Sequence, residues 1–335
     1  MKILFVFTGG TIGSTESGGV ISVDKNKATG IVKYYRDAYG IDFDYDVVGP
    51  YNELSENNTG VNLRKLCTCV SRYIDKGYDG IIVTHGTDTL QYSAAALGYT
   101  LGLSETPVCI VSANRPIENE KTNALDNLRG AIKFIESGEG RGAFVVYRND
   151  NSDTVRVHRA TRLVGIKAFS DDVSSIRGEV YGHFDKDFKF IKNPKYCEEE
   201  DTVSTLSATG LSAVNKKVLF VTPYVGMSYP TLSRGVKYVI FNTYHSGTLD
   251  TKSSAARAFF KRAKERGIGV YAVGVNDGAD YESALLFKNL GITPFSNIAP
   301  IAAYVKLWLL TAAETDCAEL FERSLSGDIA PSQYV

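Results

Sequence analysis

Short apolar runs at residues 3–7, 80–84, 107–112 and 143–147 alternate with segments of helical spacing at 61–76, 89–103 and 123–137. Each run is bounded by glycine, proline or polar residues. In the last helical segment Leu125, Leu128, Ala131, Ile132 and Ile135 keep apolar side chains mostly on one face. This alternation leaves few options. Strands separated by helices pair in parallel, so the chain is expected to be α/β with a largely parallel sheet. The stretch 184–217 breaks the pattern with spaced lysines, the acidic run Glu198-Glu199-Glu200-Asp201 and small polar residues. It reads as a connection with a hairpin at its start. Strands then resume at 218–222, 238–242 and 269–273, with a helix over 253–266 and Gly267 as its C-cap. Two α/β domains are therefore expected, at 1–190 and 212–335, joined by a linker over 191–211. No internal repeat stands out.

Composition agrees. At roughly 150 residues per domain, 335 residues make about two domains. Hydrophobic residues are 44% and charged residues 22%, which argues against disorder. The net charge of -1 gives no reason to expect nucleic acid or an anionic membrane as a partner. Five cysteines suggest no disulfide framework and favour a reducing cytoplasm. The opening Met1-Lys2-Ile3-Leu4-Phe5-Val6-Phe7 is too short for a signal peptide and reads as a first strand. No stretch approaches the ~18 apolar residues of a membrane helix.

Two segments sit where a parallel sheet binds ligands, directly after strands: Thr8-Gly9-Gly10-Thr11-Ile12-Gly13-Ser14 and Thr84-His85-Gly86-Thr87-Asp88-Thr89. Their glycines let backbone N–H groups approach a ligand, and they supply the Thr11 and Thr87 hydroxyls and the Asp88 carboxylate. Taken singly, each also reads structurally, Asp88 as a helix N-cap and Gly9-Gly10 as a tight turn. Gly9, Gly10 and Gly13 lack the dinucleotide spacing G-x-G-x-x-G, and there is no phosphate loop. The four histidines, His85, His158, His183 and His245, form no i, i+4 metal pair. Cys67 and Cys69 face apart on a helix, and the cluster Lys261, Arg262, Lys264, Arg266 reads as a solvated helix face.

Together and in order, the two motifs resemble the signatures of the bacterial-type L-asparaginase family. Leu54-Ser55-Glu56-Asn57-Asn58-Thr59 resembles its serine-bearing loop. Val111-Ser112-Ala113-Asn114-Arg115-Pro116 and Tyr244-His245-Ser246-Gly247-Thr248 resemble further family segments, the latter of the cytoplasmic branch. The similarity runs from Ile3 to about Leu310. It implies hydrolysis of the asparagine side-chain amide to aspartate and ammonia, without metal or organic cofactor. It also implies a homodimer or homotetramer. Thr11 matches the nucleophile, and Thr87 the second threonine, which positions water and the substrate amide. Asp88 matches the group that binds the α-amino function and Ser55 the one that binds the α-carboxylate. Gly10 lines the substrate.

Three departures from the family pattern follow. Val20 stands where a loop tyrosine is expected, with Tyr34, Tyr35 and Tyr51 as substitutes. Arg162, in His158-Arg159-Ala160-Thr161-Arg162-Leu163, falls on a lysine position. It cannot act as a base but could hold Thr87 and Asp88 electrostatically, and Lys167 is the alternative. Asn297 and Ile301 are neutral where members often carry acidic residues that reach a neighbouring subunit's site. The leading expectation is an asparaginase-like amidohydrolase. The alternatives are a family member acting on a larger amide and a non-catalytic amino-acid-binding protein.

Overall fold

The structure is a computed structural model and describes residues 1–10, 14–17, 20–23, 30–40, 43–150, 152, 154–166, 169–198, 205–275, 281–314 and 317–331. For 14–17, 20–23, 317 and 318 only the backbone is described.

The chain begins with β1 (Lys2–Phe7), the hairpin of β2 (Ser14–Ser17) and β3 (Val20–Val23), α1 (Gly30–Tyr39), β4 (Asp44–Val48) and α2 (Gly60–Ser71). It continues through β5 (Gly80–Thr84), α3 (Leu90–Leu101), β6 (Val108–Val111), α4 (Ala124–Ser137), β7 (Ala143–Arg148), β8 (Val155–Arg159), β9 (Gly182–Phe184) and β10 (Phe190–Lys192). All of these strands but β2 and β3, which pair only with each other, form a sheet of eight in the order β10-β9-β8-β7-β6-β5-β1-β4. Pairing from β7 through to β4 is parallel, and β8, β9 and β10 are added antiparallel. From β1 the chain steps outward to β4 and then crosses to β5 on the opposite side. The crevice between the carboxyl ends of β1 and β5 is thus a topological switch point, where ligands of open α/β sheets bind.

The second part holds β11 (Val218–Val221), β12 (Tyr238–Asn242), α5 (Ser254–Glu265), β13 (Gly269–Val275), α6 (Glu282–Leu285), α7 (Phe287–Leu290), β14 (Ile292–Ser296), α8 (Pro300–Ala312) and α9 (Cys317–Glu322). β11 to β14 form a parallel sheet in sequential order. Ser253 caps α5 by accepting the Ala256 N–H, and Gly267 follows its end at φ +63. The helix expected over 61–76 stops at Ser71, because Asp75 and Gly77 take positive φ and turn the chain into β5.

β1, β5, β6 and β7 are apolar on both faces because both are covered. One face packs on α1 and α4. On the other, Leu4, Val6, Val83 and Val145 share a continuous core with α2, α3 and α8 and with Val218, Ile240, Tyr271 and Val273 of the second sheet. α3 and α8 pack on each other between the sheets. The opposite face of the second sheet is closed by α5 and α7. Among the described residues no helix is long and apolar enough to cross a membrane.

Candidate active site

Three loops meet at the switch point. The loop after β1 runs alongside the one after β4 through the bridge Gly9–Glu53, with Glu53 N–H donating to Thr8 O and Gly10 N–H to Glu53 O. The Thr8 hydroxyl donates to Thr84 O at 2.7 Å and ties that loop to the end of β5. Gly9 and Gly10 sit at φ +101 and +80, where only glycine is at ease. A Cβ on Gly10 would stand 2.2 Å from the Gly86 nitrogen, and one on Gly86 would stand 2.5 Å from Ser55 Oγ. Glycine at these positions lets the motif loops touch.

A polar network fixes the contact. His85 is fully buried. Its Nδ1 faces Gly86 O at 2.7 Å. A carbonyl only accepts, so Nδ1 carries the proton and Nε2 is the acceptor. Nε2 takes hydrogen bonds from Ser93 Oγ at 2.8 Å and Asn58 Nδ2 at 3.3 Å. Burial pushes the imidazole pKa down, which favours this neutral form. Asn58 Nδ2 also donates to Thr89 Oγ1 at 3.2 Å, and that hydroxyl donates to Ser55 O at 2.9 Å. Asn58 and Thr89 thereby lock the serine loop to the motif after β5. Nothing in the sequence pattern singled out Asn58, Thr89 or Ser93, since their role exists only once two distant loops touch.

Thr87 is half-buried at the entrance to α3 and Asp88 is exposed. Asp88 is not the helix N-cap: Thr89 holds that position, and its hydroxyl is diverted from capping to Ser55. Ser55, buried in a short 3-10 turn, sets its Oγ 3.5 Å from Asp88 Oδ2. A hydroxyl and a carboxylate side by side, one sheltered and one open, suit the two ends of a zwitterion. Thr11 and Lys167 lie outside the described residues, and only the backbone of Val20 is described, as the first residue of β3.

Of the three tyrosines, Tyr34 is exposed on α1 and Tyr35 is buried in the core beneath it. Tyr51 packs beside Thr8, and burial pushes its phenol pKa up.

Arg162 is placed elsewhere than expected. Fully buried, it donates from Nε to Gly327 O at 2.6 Å and from Nη2 to Cys197 O at 2.8 Å and Ile329 O at 3.0 Å. Its ring neighbour is Tyr196, and Glu179 lies 3.7 Å from Nη1. No bond joins it to Thr87 or Asp88 among the described residues. The expectation that it holds those two groups is corrected to a clamp on the segment 326–331. The physical reason is that Nε and Nη2 are held by three carbonyls and Nη1 is turned toward Glu179. Thr161 Oγ1 adds a bond to Ser326 O, and Tyr99 OH and Lys306 Nζ both reach Asp328 Oδ2 at 2.8 Å. Asn297 accepts from Arg177 of the same chain, and Ile301 is buried. Neither presents an acidic group outward.

Among the described residues no group of three or more His, Cys, Asp or Glu could hold a metal ion. Cys67 and Cys109 are buried, Cys69 is half-buried and Cys197 is exposed, all as free thiols.

The family described as asparaginase, N-terminal, matches residues 2–195. A glutamyl-tRNA(Gln) amidotransferase component from Sulfolobus acidocaldarius is 24% identical over 294 residues, which is 83% of this chain and 64% of that protein. Its counterpart from Methanobrevibacter smithii is 26% identical over 98% of this chain and 76% of its own length. The chain thus spans about two thirds to three quarters of these curated relatives. Among solved structures, the thermostable L-asparaginase from Thermococcus kodakarensis superposes with a TM-score of 0.77 at 21% identity, covering 99% of this chain and 100% of that one. L-asparaginase I from Vibrio cholerae gives 0.70 at 20% identity, covering 98% and 99%. At these identities the structural likeness is one of fold. The sequence match covers more than half of the chain, including both glycine-hinged loops, and on it the chain belongs to the asparaginase family.

Proposed function

We propose that the chain is an amidohydrolase that cleaves the side-chain amide of asparagine through Thr11, by way of an acyl-threonine. The observation that carries this is the contact of Gly10 with Gly86, because it brings the backbone before Thr11 against the loop bearing Thr87 and Asp88. Asp88 would bind the α-ammonium group and Ser55 the α-carboxylate. The Thr11 hydroxyl oxygen attacks the amide carbon as its proton leaves for a base. Collapse of the tetrahedral intermediate expels ammonia, and water near Thr87 hydrolyses the ester. Gly10 and the N–H groups of the Thr87 loop would line the reacting carbonyl. Tyr51, kept protonated by burial, is suited to donate a hydrogen bond near Thr8 rather than to act as a phenolate base. A cytoplasmic homodimer or homotetramer without cofactor belongs to this reading. Tyr224, Val225, Tyr244, Tyr281 and Leu285, all exposed in the second part of the chain, are apolar candidates for subunit contact in this reading.

Purified protein should release ammonia from asparagine, and Thr11→Ala and Thr87→Ala should each abolish it. Release that survives both changes would sink the mechanism.

A second reading is favoured by one observation. A cavity of about 420 Å³ adjoins Asn58 and Thr89 and is walled by Tyr92, Tyr304 and Trp308. It could take the body of a larger amide. The amidotransferase names of the curated relatives support transfer of the amide nitrogen rather than its simple release. A panel of asparagine, glutamine and N-substituted amides separates the two readings.

A further inference from the structure

A second cavity, of about 360 Å³, lies apart from the motif loops and is lined by Asn149, Arg156, His158, Asp172 and the serines at 170, 174 and 175. Its wall is polar. His158 is 1% exposed, and its Nε2 has no hydrogen-bond partner. Its Nδ1 is engaged with Ser175 Oγ at 2.8 Å, so the ring is held in place with one nitrogen open. Asp172 Oδ1 is likewise buried and without a partner.

Arg156, on β8, lines the same cavity, and neither its guanidinium nor the Asp172 carboxylate forms an ion pair among the described residues. The buried Asp172 Oδ1 and His158 Nε2 are left without partners, while Arg156 stands at the exposed face of β8 as the cation at the cavity's mouth. A molecule with a cationic end for Asp172 and an anionic end for Arg156 would fit this arrangement. The amide of Asn149 cannot compete for it, because it is spent on the backbone of Val173 at both ends.

We propose that this cavity is a second binding site, for a small α-amino acid. The α-carboxylate binds Arg156, the α-ammonium group binds Asp172 Oδ1, and His158 Nε2 completes the polar contacts. Charge-assisted bonds at both ends supply the affinity, and the cavity holds a small amino acid together with water. The site shares no residue with the Thr87 loop and does not depend on what that loop hydrolyses.

The test is calorimetry and nitrogen-detected NMR of the histidine rings, with glycine and L-aspartate as probes. The background is Asp88→Asn, which blanks the amidohydrolase site for the α-amino group. Both probes should bind one site per chain and shift the His158 Nε2 resonance. Asp172→Asn should weaken that binding at least 10-fold, Arg156→Ala should abolish it, and Arg156→Lys should retain part of it. The two Arg156 variants guard against misfolding, since their side chains differ only at the exposed face of β8. Absence of binding heat and of any His158 shift in the Asp88→Asn protein at millimolar probe overturns the proposal. So does binding that is unchanged in Arg156→Ala.

Discussion

Gly10 and Gly86 meet backbone to backbone, with 2.2 Å between the position of a Cβ on Gly10 and the Gly86 nitrogen. Alanine at Gly10 would incur the left-handed backbone cost of roughly 1–2 kcal/mol and would also drive the two loops apart. Gly10→Ala should therefore lower kcat/KM by at least 100-fold. Gly40→Ala is the control, since Gly40 shares a positive φ but has open space around it. It should cost stability alone, so equal losses of activity in the two variants would refute the steric reading.

Asn58 holds His85 and Thr89 with one amide nitrogen. Asn58→Ala removes both bonds, each worth about 1 kcal/mol, and frees the Ser55 loop from the motif loop. The expected result is a drop of about 10-fold in kcat/KM with little change in melting temperature. A large loss of stability at unchanged activity would assign Asn58 to the fold instead.

Which parts of this were legible follows from where each signal lives. The strands at 80–84 and 143–147 were readable because both faces are buried, and an unbroken apolar run then marks the sheet. β4 was not: Asp44–Val48 lies at the sheet's edge with no residue fully buried, and its two aspartates break the apolar run that marks the inner strands. The site's charged and hydroxyl groups stood in the motifs, whereas their connections did not. Asp88 reads as the N-cap in the sequence, and only the structure shows Thr89 in that position with its hydroxyl bound to Ser55 of another loop. Arg162 shows the same limit from the other side. Its position in the sequence pointed to Thr87, but its direction is set by carbonyls at Gly327 and Ile329, more than a hundred residues away in the chain.

Those carbonyls give Arg162 a test of its own. Arg162→Ala leaves the buried Gly327 carbonyl without its donor, at about 1–3 kcal/mol for an unsatisfied buried group, and removes the bonds to the part-buried carbonyls of Cys197 and Ile329. It should lower the melting temperature markedly and loosen the segment 326–331, which hydrogen exchange would report. Arg162→Lys should recover only part, since an ammonium cannot reproduce the planar fork. In whatever protein remains folded, kcat/KM should stay within a few fold of the parent. A selective loss of kcat with normal stability would return Arg162 to the catalytic site.

His158 and His85 make folding sensitive to acid. Burial lowers both pKa values in the folded chain, that of His158 from 6.5 to about 3 with Arg156 assisting. Between pH 6.5 and about 3 the unfolded state binds a proton at His158 that the folded state refuses. For His158 the contribution is therefore complete above about pH 6.5 and falls as pH drops toward 3, with a slope of up to about 1.4 kcal/mol per pH unit, and His85 acts in the same direction. Urea midpoints measured from pH 7 to pH 4 should decline over that window. His158→Asn, which cannot titrate, should be weaker at pH 7 but should flatten the decline. If parent and variant lose stability in parallel, His158 is not the group that couples folding to pH.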